Sequence, residues 1–309
     1  MNRKQNYFEG WYYKLIDEPR KNVLAVIPGI SIGESLQDAH AFIQVIDAIK
    51  SKSEYYRFPY GEFHTDKRNL NFQIGPNEFS DHELKIDLGC SSSKIGGNLS
   101  FNNMVKYPKS FLNPGIMGPF SFIPGMECYH GIVNISNRIS GALTINGQQI
   151  DMTNGEGYIE KDWGRSFPKS WIWLQANHFE GNKGTFMFSI ACIPWLGKSF
   201  TGFLSFLKTE DRFYKFATYN GSKRKQIRFK EDILEVSLEN SQYTLDFTAK
   251  YSKGGILKAP KNGLMERDIE ETITAEVTLH LYSSQKQTIF LGGSKFVGME
   301  IAGSLDDIL

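Results

Sequence analysis

Tyr158, Glu160 and Asp162 occupy alternate positions in the run EGYIEKDWGRSFPKSWIWLQANHFE, residues 156–180. On a strand, alternate side chains leave the same face. A phenol and two carboxyls would therefore project together, with Ile159, Lys161 and Trp163 on the other side. Gly164 and Pro168 mark a turn. Beyond it Trp171, Trp173, Gln175 and Asn177 share a face, opposite Ile172, Leu174, Ala176 and His178. Two indoles followed by two amides form an unusual face for plain core, because buried amides need partners. A pocket that stacks a flat ligand and hydrogen-bonds its polar end would use that set. The same residues also suit a turn network in which Glu160 or Asp162 pairs with Lys161 or Arg165.

Two further stretches could contribute. In NYFEGWYYK, residues 6–14, Tyr7, Glu9, Trp11 and Tyr13 share a face. A buried Glu9 is costly unless it pairs with a cation or serves a site. Glu127, Cys128 and Tyr129, next to His130, form a polar island in apolar surroundings. The histidines are isolated, without the close pairs that ligate a metal, so no metal site is expected. No glycine-rich phosphate loop opens a helix.

The elements that must position these residues are strands. HAFIQVID, ELKIDL, GALTIN, YTLDFTAKY and ITAEVTLHLY all alternate with period two, and Gly, Asn or Pro punctuates them. Helical periodicity is nearly absent, which predicts an all-β chain. An internal repeat organises the strands. Tyr56-Arg57-Phe58 matches Tyr214-Lys215-Phe216, Gly96-Gly97-Asn98-Leu99 matches Gly254-Gly255-Ile256-Leu257, and Phe42 matches Phe200, all at an offset of 158. Trp11 matches Trp171 at 160. These collinear matches predict two tandem antiparallel β-barrels of lipocalin size related by internal duplication, with domains at 1–166 and 167–309. Each would have about eight strands, the size that encloses one small ligand. Residues 104–126, rich in Pro and Gly, have no long counterpart in the second copy. They read as a buried loop between the barrels or as a lid over an apolar pocket.

Composition narrows the function. The 309 residues are 40% hydrophobic, so a large core is available. A net charge of +1, with Lys and Arg spread along the chain, gives no electrostatic footprint for nucleic acid. Cys90, Cys128 and Cys192 are far apart and odd in number, which argues against a disulfide framework. No apolar leader opens the sequence and no apolar run is long enough to span a bilayer, so a cytoplasmic protein is expected.

FEGWYYK together with YIEKDWGRSFPKSWIWLQANHF resembles the tocopherol cyclase family. Plant members carry an E-K-N-W-G signature, then F-P and a W-x-W-x-Q-x-N-x-F run. Here those positions are Glu160, Lys161, Asp162, Trp163, Gly164, Phe167, Pro168, Trp171, Trp173, Gln175, Asn177 and Phe179. The signature Asn is Asp162 in this chain. More distantly, the family is similar to carotenoid hydratases and to pericyclases built from two tandem lipocalin-like barrels.

The resemblance implies a cofactor-independent enzyme that protonates a prenyl double bond so that a neighbouring phenol oxygen closes a ring, or a related hydration or isomerisation of a polyene lipid. Glu160 and Asp162 would form a coupled acid pair in an apolar pocket. Tryptophan faces, Trp163, Trp171 and Trp173, would stabilise a cation. His130 or His178 would accept the phenol proton. Glu9, Trp11, Glu127, Tyr129, Tyr158, Gln175 and Asn177 would complete the binding surface. The implied partner is a hydrophobic small molecule, with transient contact to a membrane surface. The alternative is a non-catalytic lipocalin-like carrier, which would need no desolvated acid.

Overall fold

The computed structural model describes residues 5–47, 52–66, 70–90, 93–195 and 197–309. The protein is all-β, with two large antiparallel sheets of the lipocalin-like class. Among the described residues the only helical pieces are short 3₁₀ turns.

Two compact units divide the chain. One comprises Met1–Phe167 with Leu257–Asp268, the other Pro168–Ile256 with Ile269–Leu309. The first contains β1 (Tyr7–Ile16), β2 (Val23–Ile32), β3 (His40–Asp47), β4 (Lys52–Pro59), β5 (Phe63–Asp66), β6 (Asn71–Ile74), β7 (Asn77–Ser80), β8 (Glu83–Gly89), β9 (Lys94–Val105), β10 (Cys128–Ile145), β11 (Gln148–Asp151) and β12 (Glu156–Gly164). Their order in the sheet is β4-β3-β2-β1-β12-β10-β9-β8-β7-β6-β5, with β11 paired to β10. The remaining strands are β13 (Trp171–Ala176), β14 (Gly184–Trp195), β15 (Lys198–Thr209), β16 (Phe213–Ala217), β17 (Lys223–Lys230), β18 (Ile233–Glu239), β19 (Tyr243–Lys250), β20 (Gly255–Lys261), β21 (Leu264–Ser283) and β22 (Thr288–Ala302). These run β16-β15-β14-β13-β22-β21-β19-β18-β17, with β20 on β21.

The two orders share a plan. In each, four consecutive strands lead to the first strand of the unit, which pairs with the last. The sheets hold twelve and ten strands rather than about eight apiece. Short hairpin segments such as β5 to β7 account for much of the excess.

Each sheet has one face on an apolar core. In the first unit Trp11, Tyr13, Leu15 and Ile159 belong to that core. In the second, Ile172, Leu174 and Ala176 do. This corrects the Trp11–Trp171 match. Trp11, Tyr13 and Leu15 face the first core and Ile172, Leu174 and Ala176 the second, so the core-facing positions correspond at an odd offset. An even offset would turn every side chain to the wrong face.

The expected boundary at 166/167 is also displaced. It falls after Phe167, and Leu257–Asp268 belongs with the first unit. Backbone and side-chain hydrogen bonds explain the attachment. The Gln44 amide donates to the Lys258 carbonyl at 3.0 Å and accepts from its N–H at 2.7 Å. Ser31 donates to the Gly263 carbonyl, and the Phe167 N–H to the Pro260 carbonyl.

Candidate active site

The centre of the first sheet, β1-β12-β10, carries the acid-bearing residues. Its core face is filled by Trp11, Tyr13 and Ile159. Alternation therefore sends Tyr12 and Lys14 of β1, Tyr158, Glu160 and Asp162 of β12, and His130 and Ile132 of β10 to the opposite face. Strand register sets them in rows. Gly10, Asp162 and His130 form one row, Tyr12, Glu160 and Ile132 the next, and Lys14 and Tyr158 a third.

The side chains join into a relay. The Tyr158 hydroxyl donates to Glu160 Oε2 at 2.6 Å. The same carboxyl oxygen lies 3.7 Å from His130 Nε2. His130 Nδ1 meets Asp162 Oδ1 at 2.8 Å. Tyr158 is fully buried and Glu160 is 4% exposed, whereas His130 and Asp162 are partly open. Burial, then the neighbouring Glu160 carboxyl and its hydrogen bond, hold the Tyr158 phenol well above its usual range. Tyr158 is therefore a permanent donor. The contact from His130 to Glu160 is just outside hydrogen-bond range.

The long loop is tied to the start of β10. Met117 Sδ accepts the His130 backbone N–H at 3.1 Å, and the Tyr129 hydroxyl donates to the Ile123 carbonyl at 2.7 Å. Tyr107, Ile116, Met117 and Met126 are buried. A Cβ placed at Gly10, in the row of Asp162 and His130, would meet nothing nearer than 3.8 Å.

Four expected residues lie elsewhere in the same unit. Glu9, Trp11, Tyr129 and Trp163 are on the opposite face of the sheet from Glu160. Lys161 pairs with Glu9 and sits over the Trp11 and Trp163 rings. Tyr7 donates to Glu9 at 2.7 Å, and Tyr129 stacks on Trp163 with centroids 5.5 Å apart. Lys161 thus serves Glu9 and not Glu160 or Asp162. Glu127 is also apart, near Arg165 and Arg267. Burial raises its pKa, and the two guanidinium groups oppose that effect.

The indole-amide face lies in the second unit. Trp171, Trp173, Gln175 and Asn177 are all buried, on the side of β13 opposite its core. Trp171 Nε1–H donates to Glu300 Oε2 at 2.6 Å. Asn177 has no hydrogen-bond partner for either amide atom among the described residues. His178 is buried beside this strand end.

Sequence reasoning missed Tyr12 and Lys14. Lys14 is completely buried and in register with Tyr158. The signal was present in GWYYK, where the residues alternating with Glu9, Trp11 and Tyr13 end in a lysine.

His130, Glu160 and Asp162 also bring three metal-capable atoms within 4.8 Å of one another, which the histidine spacing did not anticipate. The imidazole stands between the carboxyls, one nitrogen toward each. A cation bound by all three would have to replace the His130–Asp162 hydrogen bond. As arranged, the group suits proton transfer better than a convergent cage.

A model of the tocopherol cyclase-like family matches residues 98–303, more than half of the chain. The chain belongs to the tocopherol cyclase-like family. A chloroplastic tocopherol cyclase of Zea mays is 25% identical over 200 residues, 60% of this chain and 41% of the maize protein. The match thus spans less than half the length of that relative. The solved structure of CghA with Sch210972 superposes with a TM-score of 0.59 at 9% identity, covering 96% of this chain and 89% of CghA. An AttH-type protein of Nitrosomonas europaea gives 0.58 at 13%, covering 96% and 92%. At such identities these two structures speak for the fold alone. Among the described residues no helix is long and apolar enough to cross a membrane.

Proposed function

We propose that the protein is a cofactor-independent cyclase or hydratase acting on a prenylated phenol or quinol, or on a related polyene lipid. Family membership supports the cyclase-or-hydratase class. The observation that carries the finer reading is the series Tyr158–Glu160–His130–Asp162, in which the buried Tyr158 and Glu160 lead to the partly open His130 and Asp162. A carrier of apolar ligands gains nothing from burying a carboxyl within reach of an imidazole, because each ionisable group costs desolvation.

In this reading Glu160, in its protonated form, gives its proton to the less substituted carbon of a prenyl double bond. The tertiary cation that results is attacked by the phenol oxygen, and a C–O bond forms. The phenol proton returns to Glu160 directly or through His130 Nε2, so the reaction is an isomerisation with no net proton change. With water as nucleophile the same steps give hydration. His130 is held by Asp162, which fixes the tautomer that offers Nε2 to Glu160 and steadies an imidazolium when it forms. Tyr158 orients the carboxyl. The 104–126 loop is the proposed wall of an apolar pocket.

Glu160→Gln keeps the side chain's size but removes the acid. Turnover of a prenylated hydroquinone should fall by roughly 10²–10⁴-fold, the scale for losing a general acid. Binding of the same compound, followed by tryptophan fluorescence, should persist. A variant with undiminished turnover would remove Glu160 from the mechanism. A wild-type protein that binds such compounds but never converts them would favour the carrier.

A further inference from the structure

Residues 107–126 contain no carboxylate, and one turn within them is built against the usual rule for turns. Ser110 N–H donates to the Asn113 carbonyl at 2.9 Å and Asn113 N–H returns a bond to Ser110 at 3.1 Å. The pair closes a two-residue reversal with Phe111 and Leu112 at its tip. Such tips normally carry Gly, Asn or Asp. Here Phe111 is 92% exposed and Leu112 68%. Phe122, in the 3₁₀ turn Gly118–Phe122 of the same loop, is 61% exposed. Pro108 and Pro114 flank the tip and restrict its stalk. Lys109, immediately before Ser110, is exposed, and the exposed Lys106 bonds Asp81 at 2.6 Å.

We propose that the Phe111–Leu112 tip is a membrane-insertion wedge that seats the first unit on a lipid bilayer bearing anionic headgroups. Exposed apolar side chains of this size mark an interaction site. The geometry selects a lipid surface over a protein. Two projecting side chains cover far less than the about 1,200–2,000 Å² that a stable protein interface buries. A bilayer needs only the tip, which enters the headgroup boundary while lysines beside it meet anionic lipid. The 107–126 stretch supplies that polarity, with Lys109 and no acid. The same loop runs on to Met117, which holds the His130 backbone. A lipid-seated tip is thus continuous with a wall of the relay. The wedge rests on the tip's geometry and does not depend on the cyclase reading.

The test is cosedimentation of the full chain with vesicles of phosphatidylcholine alone and of phosphatidylcholine with phosphatidylglycerol. Wild type should bind the mixed vesicles. The double variant Phe111→Ser/Leu112→Ser should bind at least tenfold more weakly, since each large apolar side chain that leaves water contributes strongly. Lys109→Ala should lose about fivefold on the anionic vesicles only. Phe111→Trp should show blue-shifted emission with vesicles and quenching by brominated acyl chains. All these positions are exposed, and an unchanged melting curve confirms the fold. Equal binding by the double variant would overturn the wedge, as would a wild type that ignores both vesicles. A Phe111→Trp emission that shifts with protein concentration in the absence of lipid would place the tip against a second copy and overturn it too. Failure here leaves the Glu160→Gln result untouched, so the two readings fail separately.

Discussion

Asp162 stands where the plant signature of the family carries Asn, and its contact explains how both residues can serve. His130 Nδ1 lies 2.8 Å from Asp162 Oδ1. An Asn side-chain oxygen can accept the same N–H, so the tautomer that presents Nε2 to Glu160 survives. Only the negative charge that favours imidazolium is lost. Asp162→Asn should therefore cost about tenfold or less in turnover, well short of Glu160→Gln. Tyr158→Phe makes the complementary test. The Tyr158 phenol, kept protonated by burial, donates to the Glu160 carboxyl and so favours its ionised form. Without that donor Glu160 should hold its proton to higher pH. Because the proposed activity needs protonated Glu160, the basic limb of the pH–rate profile should move upward in Tyr158→Phe. A limb that moves down, or stays fixed while activity collapses, would assign the limb to another group.

At the scale of the strand, alternation made much of the site legible. Spacing alone put Tyr158, Glu160 and Asp162 on one face, and the register of β12 keeps them there. Alternation could not say which face of β1 adjoins them, since Glu9-Trp11-Tyr13 and Tyr12-Lys14 are both plausible rows. The aromatic row proved to be core because Trp11 stacks on Phe72 at 4.1 Å and Tyr13 packs near Phe79 and Phe101. Irregularities were invisible for a different reason. β10 shifts register between Ile132 and Asn134 and again between Asn134 and Asn137, and a bulge leaves no periodic trace in sequence. The second shift leads to Asn137 opposite Gly157. A Cβ on Gly157 would lie 2.5 Å from Asn137 Oδ1 and 3.0 Å from Nδ2. Gly157 is therefore fixed by close approach, one residue before Tyr158. Gly157→Ala should destabilise by about 1–3 kcal/mol, the usual cost of overpacking. Gly157→Ala combined with Asn137→Ala should recover part of that loss in urea unfolding. No recovery would mean that the strain lies in the backbone of β12 rather than at the amide.

Across the whole chain, the period-two strands predicted the all-β architecture, while a single boundary at 166/167 left one segment out of the first unit. Strands Tyr7–Ile16 and Trp171–Ala176 occupy the same place in their sheets, whereas Gly97 in β9 and Gly255 in β20 do not. The segment Leu257–Asp268 follows from no repeat, because its attachment depends on contacts more than 200 positions away in sequence, between Gln44 and Lys258 and between Ser31 and Gly263. Only folding brings such partners together. These bonds are specific. Gln44 is 3% exposed and its amide is satisfied in both directions by one backbone residue, while Ser31 is fully buried and its hydroxyl is used by the Gly263 carbonyl. Removing the segment strands those groups, and each buried polar group left without a partner costs about 1–3 kcal/mol. A fragment comprising residues 1–167 should therefore unfold at markedly lower urea than the same fragment joined through a flexible linker to residues 257–268. Gln44→Ala in the joined fragment should reclaim less than the full difference, since the Ser31 and Phe167 bonds remain. If the two fragments share one unfolding midpoint, residues 257–268 add nothing to the stability of the first unit and its boundary belongs at Phe167.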